Sequence, residues 1–161
     1  MFPYEKFTIN TSLHPEIVRQ KLLAVVEPRK AIRWNINNYG KPYEGEVGDH
    51  SFEINRIINY RNSFLPIIKG RIYPEGMGSK IDIKMAMHPF VIVFMSIWLG
   101  IVGNIWILAA IATIAEGKFD SSILVLSGML LFGLLLPLLG FKPEANDSKK
   151  FLIDLLYISR N

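Results

Sequence analysis

The feature that most constrains this 161-residue chain is a pair of long segments without charged side chains. No Asp, Glu, Lys or Arg occurs between Lys84 and Glu116, or again between Asp120 and Lys142. A helix over residues 121–141 would be roughly 31 Å long at 1.5 Å per residue, which matches a hydrocarbon core of about 30 Å. The two segments therefore predict consecutive transmembrane helices.

We predict spans over residues 89–114 and 121–141, within a hairpin of residues 88–141. Pro89 suits a helix start, because its missing N–H would be unpaired there in any case. The alternative is a pair of buried core helices. Core helices usually keep one polar stripe, which these two segments lack.

The charge distribution predicts the orientation of the hairpin. Its connector is too short for a domain, so the helices run antiparallel and both chain ends lie on one side. Of the 18 Lys and Arg residues, 13 precede the first span, four follow the second, and Lys118 lies in the connector. Basic residues concentrate on the cytoplasmic side, so we predict the cell inner (cytoplasmic) membrane, with both termini cytoplasmic.

Small and polar residues recur in the first span at a spacing that favours close helix packing. The predicted helix-packing residues are Ser96, Gly100, Gly103 and Asn104. For Asn104 we favour a structural hydrogen bond to the partner helix. The alternative is a polar contact in a homo-oligomer or a water path.

Outside the spans, the pattern predicts a membrane α+β protein with an antiparallel β-meander between an N-terminal and a C-terminal helix. Residues 1–87 form the predicted cytoplasmic α+β domain, with a strand over 2–10 and then a helix up to Glu27. Residues 31–36 predict a further strand, and period-2 alternation over 51–87 predicts the meander. Asn146–Ser148 can cap a C-terminal cytoplasmic helix within 142–161, which would cover the open sheet face or lie in the membrane interface.

Arg56 is out of place on the apolar face of its predicted strand. Pairing like faces puts it opposite Gly70, which would leave room for a guanidinium and a bound anion. We favour the alternative of an internal pair with Glu53, Glu46 or Asp82, or an edge position that reaches water. Faces that bury apolar groups rarely admit a lone charge.

The turn after that strand supplies further hydrogen-bond donors, Arg61 and Asn62 among them. With Arg56 and Gly70 they make up the candidate ligand-binding set. Turn chemistry is the favoured explanation, because Asn and Ser side chains bond their own backbone in turns. The sequence contains no cysteine, and its three histidines share no ligand spacing, so we predict no metal site, no cofactor and no catalytic residue.

Two stretches of residues 45–100 carry a resemblance, FEINRIINYRNSFLPIIKGRI and GSKIDIKMAMHPFVIVFMSIW. They resemble small uncharacterised bacterial two-transmembrane-helix proteins with a β-rich cytoplasmic domain. In architecture the chain also looks like two-helix, β-domain effectors of bacterial anti-phage systems, which sense a cyclic nucleotide and then breach the membrane. In those effectors the helices usually come first, whereas here the strands come first.

These observations predict an integral membrane protein that is a non-enzymatic, membrane-anchored binding or interaction module. The alternative is a membrane-perturbing effector gated by a nucleotide or another anionic ligand bound by the β-domain. The expected partners are the lipid bilayer, a second copy through the transmembrane helices, and an anionic ligand. Nucleic acid is not expected, because the sequence has no dense basic patch.

Overall fold

The computed structural model describes residues 2–29, 40–117 and 121–157. These residues form one six-stranded mixed sheet and three helices, two of them long and apolar. The elements are β1 (Tyr4–Thr11), α1 (Pro15–Val25), β2 (Val26–Glu27), β3 (Tyr43–Val47), β4 (Ser51–Arg56), β5 (Ile67–Glu75), β6 (Gly78–Ala86), α2 (Pro89–Glu116) and α3 (Ser122–Leu156).

The sheet runs in the order β1-β6-β5-β4-β3-β2. Its described strand pairs are antiparallel except for β2 and β3, which are parallel. The predicted three-stranded meander is therefore the centre of a larger mixed sheet, to which β1 adds on one side and β3 on the other. The N-terminal helix ends at Val25, where the chain enters β2, and not at Glu27. The strand predicted over 31–36 lies outside the described residues.

The predicted register between β4 and β5 is wrong by four residues. Phe52, and not Arg56, lies opposite Gly70 on β4, and Ile83 of β6 lies beside Gly70 on the other side. A Cβ at Gly70 would lie 2.1 Å from the Phe52 ring, so that ring occupies the space assigned to a guanidinium. The apolar face was still predicted correctly, because a shift by an even number of residues keeps every side chain on its face.

The sheet buries one face under α1 and the C-terminal part of α3. From α3, Phe141, Ala145, Leu152 and Leu156 are at most 2% exposed. The apolar sheet face supplies the other side of this core, with Ile54, Ile68, Ile81 and Ile83 among its fully buried side chains. The C-terminal part of α3 thus covers the apolar face of the sheet, the first of the two positions predicted for the C-terminal helix.

We call the sheet with α1 and the C-terminal part of α3 the head. Helix α3 passes from the apolar hairpin that it forms with α2 into the core of the head without a break. We predicted that Asn146–Ser148 would cap a separate helix over 142–161, which is wrong, because α3 is one helix over Ser122–Leu156. The predicted end of the second span at Phe141 stays a prediction. The helix continues through Pro137 and Pro143. Each proline removes one helical hydrogen bond, and burial of the following turns in the head offsets that loss.

The hairpin helices α2 and α3 pack through a narrow seam. The less exposed side chains of α2 recur every three or four residues, as in a two-helix contact: Met95, Leu99, Val102 and Trp106. The indole Nε1 of Trp106 donates a hydrogen bond of 2.8 Å to Ser127 Oγ on α3. Gly133 of α3 lies against the ring of Trp98.

The predicted packing stripe on α2, Ser96, Gly100, Gly103 and Asn104, does not form this seam. A Cβ at Gly100 or Gly103 would meet no atom within 4 Å. Asn104 donates to the Gly100 carbonyl of its own helix at 2.7 Å, and Ser96 donates to its own helix as well. The expected bond from Asn104 to the partner helix is therefore replaced by the bond between Trp106 and Ser127. A role of the stripe in a homo-oligomer stays a prediction.

We expect Gly133→Leu to loosen the hairpin, because a Cβ at Gly133 would lie 2.3 Å from the Trp98 ring. Gly128→Leu is the matched control, since a Cβ there would meet no atom within 4 Å. Overpacking of this kind typically costs about 1–3 kcal/mol. Thermal unfolding in detergent micelles should show a lower Tm for the first variant alone. Equal Tm values for the two variants would contradict this packing.

Candidate functional site

A polar network joins the sheet to α3 at the point where the head meets the hairpin. We call it the junction network; it consists of Arg56, Tyr60, Glu144 and Asp147. Arg56 Nη1 lies 2.9 Å from Glu144 Oε2 and 3.1 Å from Asp147 Oδ2. The Tyr60 hydroxyl donates to the other Glu144 oxygen. Two side chains from the end of β4 and its following loop therefore hold one buried carboxylate of α3.

Burial differs sharply between the two carboxylates of the junction network. The Glu144 side chain is 6% exposed, whereas that of Asp147 is 58% exposed. A buried carboxylate is stable only when it is paired and hydrogen-bonded, and Arg56 and Tyr60 meet both requirements. Glu144 is therefore the member that depends most on its partners.

The electrostatics of the network follow from these contacts. Partial burial alone would lower the pKa of Arg56, but hydrogen bonds to Asp147 and Glu144 raise that pKa above its ordinary value. Burial raises the pKa of the neighbouring Tyr43 hydroxyl, and Ser148 and Arg56 offset part of that effect. Arg56 thus stays a cation and Tyr43 a neutral phenol throughout the physiological range.

The favoured interpretation of Arg56 as a member of an internal ion pair was right in kind and wrong in partners. Glu53, Glu46 and Asp82 were proposed, yet the partners come from α3, some 88 to 91 residues later in the chain. Alternation within a strand shows which face Arg56 occupies. It cannot show which helix covers that face, so this pairing was out of reach of the local pattern.

The remaining candidate ligand residues do not gather around Arg56. Gly70 lies beneath the Phe52 ring, and Arg61 is exposed on the loop over residues 57–66. Asn62 bonds its own turn, accepting from Phe64 N at 2.9 Å as turn chemistry predicted. Its amide also donates 2.8 Å to the Gly140 carbonyl of α3, which ties the loop to the helix.

The opposite face of the sheet is charged, and none of the described helices covers it. One row of side chains, which we call the charged row, crosses five strands in register: Lys6, Lys84, Lys69, Glu53 and Glu46. A depression of about 550 Å³ lies over this row and extends to Arg71 and Asp82. Cations occupy the β1, β6 and β5 side, and the carboxylates of the row occupy the β4 and β3 side.

The carboxylate end of the charged row is internally paired. Glu53 lies 2.9 Å from Lys69 and 2.8 Å from Arg29, and the hydrogen bonds from these two groups lower the pKa of Glu53. Lys6 and Lys84 are different, because they lie opposite each other, are exposed and form no ion pair with the described residues. Like charges directly opposite on a sheet repel, so this end of the row favours an anion.

The charged row was not predicted from the sequence. The row depends on pairing across five strands, which alternation within a single strand does not show. Among the described residues, no group of three or more His, Asp or Glu side chains is arranged to hold a metal ion.

Comparison of the chain with known protein families, with curated proteins and with solved structures found no match.

We expect Arg56→Met to destabilise the head, because it leaves the buried Glu144 carboxylate without its cation. Breaking a buried pair typically costs about 3–5 kcal/mol, and we expect roughly 1–3 because Arg56 is one-third exposed. Asp147→Asn, at the exposed partner, should cost at most about 1 kcal/mol. Denaturant unfolding in micelles measures both.

The double variant Arg56→Met/Glu144→Gln is the control for charge burial. Removing both charges leaves no uncompensated ion, so it should be more stable than Arg56→Met alone. A double variant less stable than the single one, or Arg56→Met as mild as Asp147→Asn, would contradict the role assigned to the network.

Proposed function

We propose that the protein is a non-enzymatic, membrane-anchored binding module of the cytoplasmic membrane. In this proposal α2 and α3 span the bilayer, the sheet domain lies on the cytoplasmic side, and the open sheet face binds an acidic partner. The observation that carries the proposal is that α3 belongs both to the apolar hairpin and to the core of the head.

Exposure supports the membrane location. α2 has 28 residues and α3 has 35, and in the most apolar part of each helix 11% of the residues are buried. A core helix of a soluble domain would be mostly buried, so these two helices need another apolar surrounding. A lipid bilayer supplies it, and exposed residues such as Phe94, Leu108 and Phe132 would then contact acyl chains.

Charge supports the orientation. β6 leads through His88 directly into α2, and α3 returns directly into the head, so both helices leave the sheet domain on the same side. In the sequence, 17 of the 18 Lys and Arg residues come before α2 or after the apolar part of α3, and Lys118 comes between the two helices. This bias favours a cytoplasmic head.

The open face supports the binding role. α1 and α3 bury the other face, and no described helix covers the charged row, which lies beneath a depression of about 550 Å³ that a partner could enter. Lys6 and Lys84 provide the anion-attracting end, and an acidic group between them would relieve their mutual repulsion. The nucleotide-gated alternative relies on Arg56, whose guanidinium is already engaged by two carboxylates.

Membrane integration is tested by washing vesicles with alkaline carbonate. We expect the full chain to stay in the pellet, because two apolar helices of this length insert stably. Tags at either terminus should be protected from protease in right-side-out cells and digested in inverted vesicles. Release of the chain by carbonate, or digestion of either tag in intact cells, would contradict the proposal.

Binding at the open face is tested with poly-glutamate as the acidic probe and the full chain in micelles. We expect Lys6→Gln/Lys84→Gln to weaken binding several-fold and to reduce its dependence on salt, since surface charge pairs are screened by salt. Lys150→Gln, an exposed change on α3, is the control. Titration calorimetry giving the same affinity for all three proteins would argue against this face.

A further inference from the structure

A groove of about 490 Å³ lies where the loop over residues 57–66 meets the apolar part of α3. The wall that α3 forms is apolar, and the end of the groove next to the loop carries polar side chains. Its main lining residues are Phe132, Leu135, Leu139, Gly140, Arg61 and Asn62. The groove is therefore amphipathic along its length.

The loop is held on the helix by specific contacts. Asn62 donates to the Gly140 carbonyl, and Tyr60 donates to Glu144 one turn further along α3. Gly140 permits this approach, because a Cβ there would lie 2.8 Å from the Phe64 ring. The position of Arg61 next to the helix is thus fixed from both sides.

The helix wall continues the same pattern toward the head. Phe132, Leu135 and Leu139 are spaced by three and four residues, and they are 64%, 43% and 71% exposed. Lys142 follows three residues later on the same helix face and is also exposed. Arg61 forms no ion pair with any residue that the structure describes. Lys142 likewise forms no ion pair with the described residues, so two cations without a described ion-pair partner lie at the head end of an apolar strip.

We propose that this groove binds one anionic phospholipid, with an acyl chain along the α3 strip and the phosphate held by Arg61 and Lys142. The inference rests on the proposed membrane location. From Phe132 to Gly140 the helix rises about 12 Å, so the strip spans most of one leaflet, whose hydrocarbon layer is about 15 Å thick. The cations then lie at headgroup depth, where basic residues attract anionic lipid.

The chemistry favours a lipid over a soluble anion. A soluble phosphate would use the two cations and leave the apolar wall in water, whereas a phospholipid matches both ends at once. The groove lies apart from the charged row, which is on the open face of the sheet and has no comparable apolar wall.

Native mass spectrometry of the full chain in detergent, titrated with phosphatidylglycerol or phosphatidylcholine, tests the proposal. We expect one phosphatidylglycerol to bind more tightly than phosphatidylcholine, by about fivefold for each cation. Arg61→Gln and Lys142→Gln should each remove about a fivefold share of that preference. Leu135→Trp should weaken both lipids by filling the groove. Lys80→Gln, at the far end of β6, should leave the preference unchanged.

Three results would overturn the lipid site: equal binding of the two lipids, a preference that Arg61→Gln leaves undiminished, or binding of free glycerol 3-phosphate with the same affinity. Carbonate washing of the same variants separates this inference from the proposed function. A chain that resists carbonate but shows no lipid preference refutes the groove alone. A chain that carbonate releases refutes the membrane location, and the lipid site with it.

Discussion

Helix α3 is shared between two environments, and the rest of the structure depends on that sharing. Its first half carries exposed apolar side chains, and its second half supplies part of the core of the sheet domain. A helix is stiff along its axis because each residue is hydrogen-bonded to the next turn, so the position of one end fixes that of the other. The head and the hairpin therefore form one body, without a flexible linker between them.

This continuity explains why the polar groups near Glu144 are arranged as they are. A helix leaving an apolar segment must meet the sheet at a defined angle, and Arg56, Tyr60 and Asn62 bind it within about two turns. Arg56 therefore serves the fold. The proposed acidic partner and the proposed lipid use other charges, the lysines of the charged row and the cations beside the groove.

The local sequence pattern predicted the features of the fold that depend only on residues close together in the chain. Charge-free length located both apolar helices, and alternation placed Phe52 and Arg56 on the correct face. Pairing across strands and across the chain was not accessible. The predicted β4–β5 register was wrong by four residues, because several alignments of the apolar residues satisfy the same alternation. In the observed register the Phe52 ring packs over Gly70, a contact that alternation does not predict. The predicted helix break near residue 142 is wrong, because burial of the turns after Pro143 offsets the helical hydrogen bond that this proline removes.

The continuity of α3 through the junction is tested most directly by a spin-label distance across it in lipid nanodiscs. The sequence has no cysteine, so Val125→Cys/Asp154→Cys can be labelled selectively at two exposed positions of α3. Twenty-nine residues of unbroken helix span about 44 Å. A narrow distance distribution near that value is the predicted result. A broad distribution, or one centred below about 35 Å, would show a hinge between hairpin and head and would contradict the account.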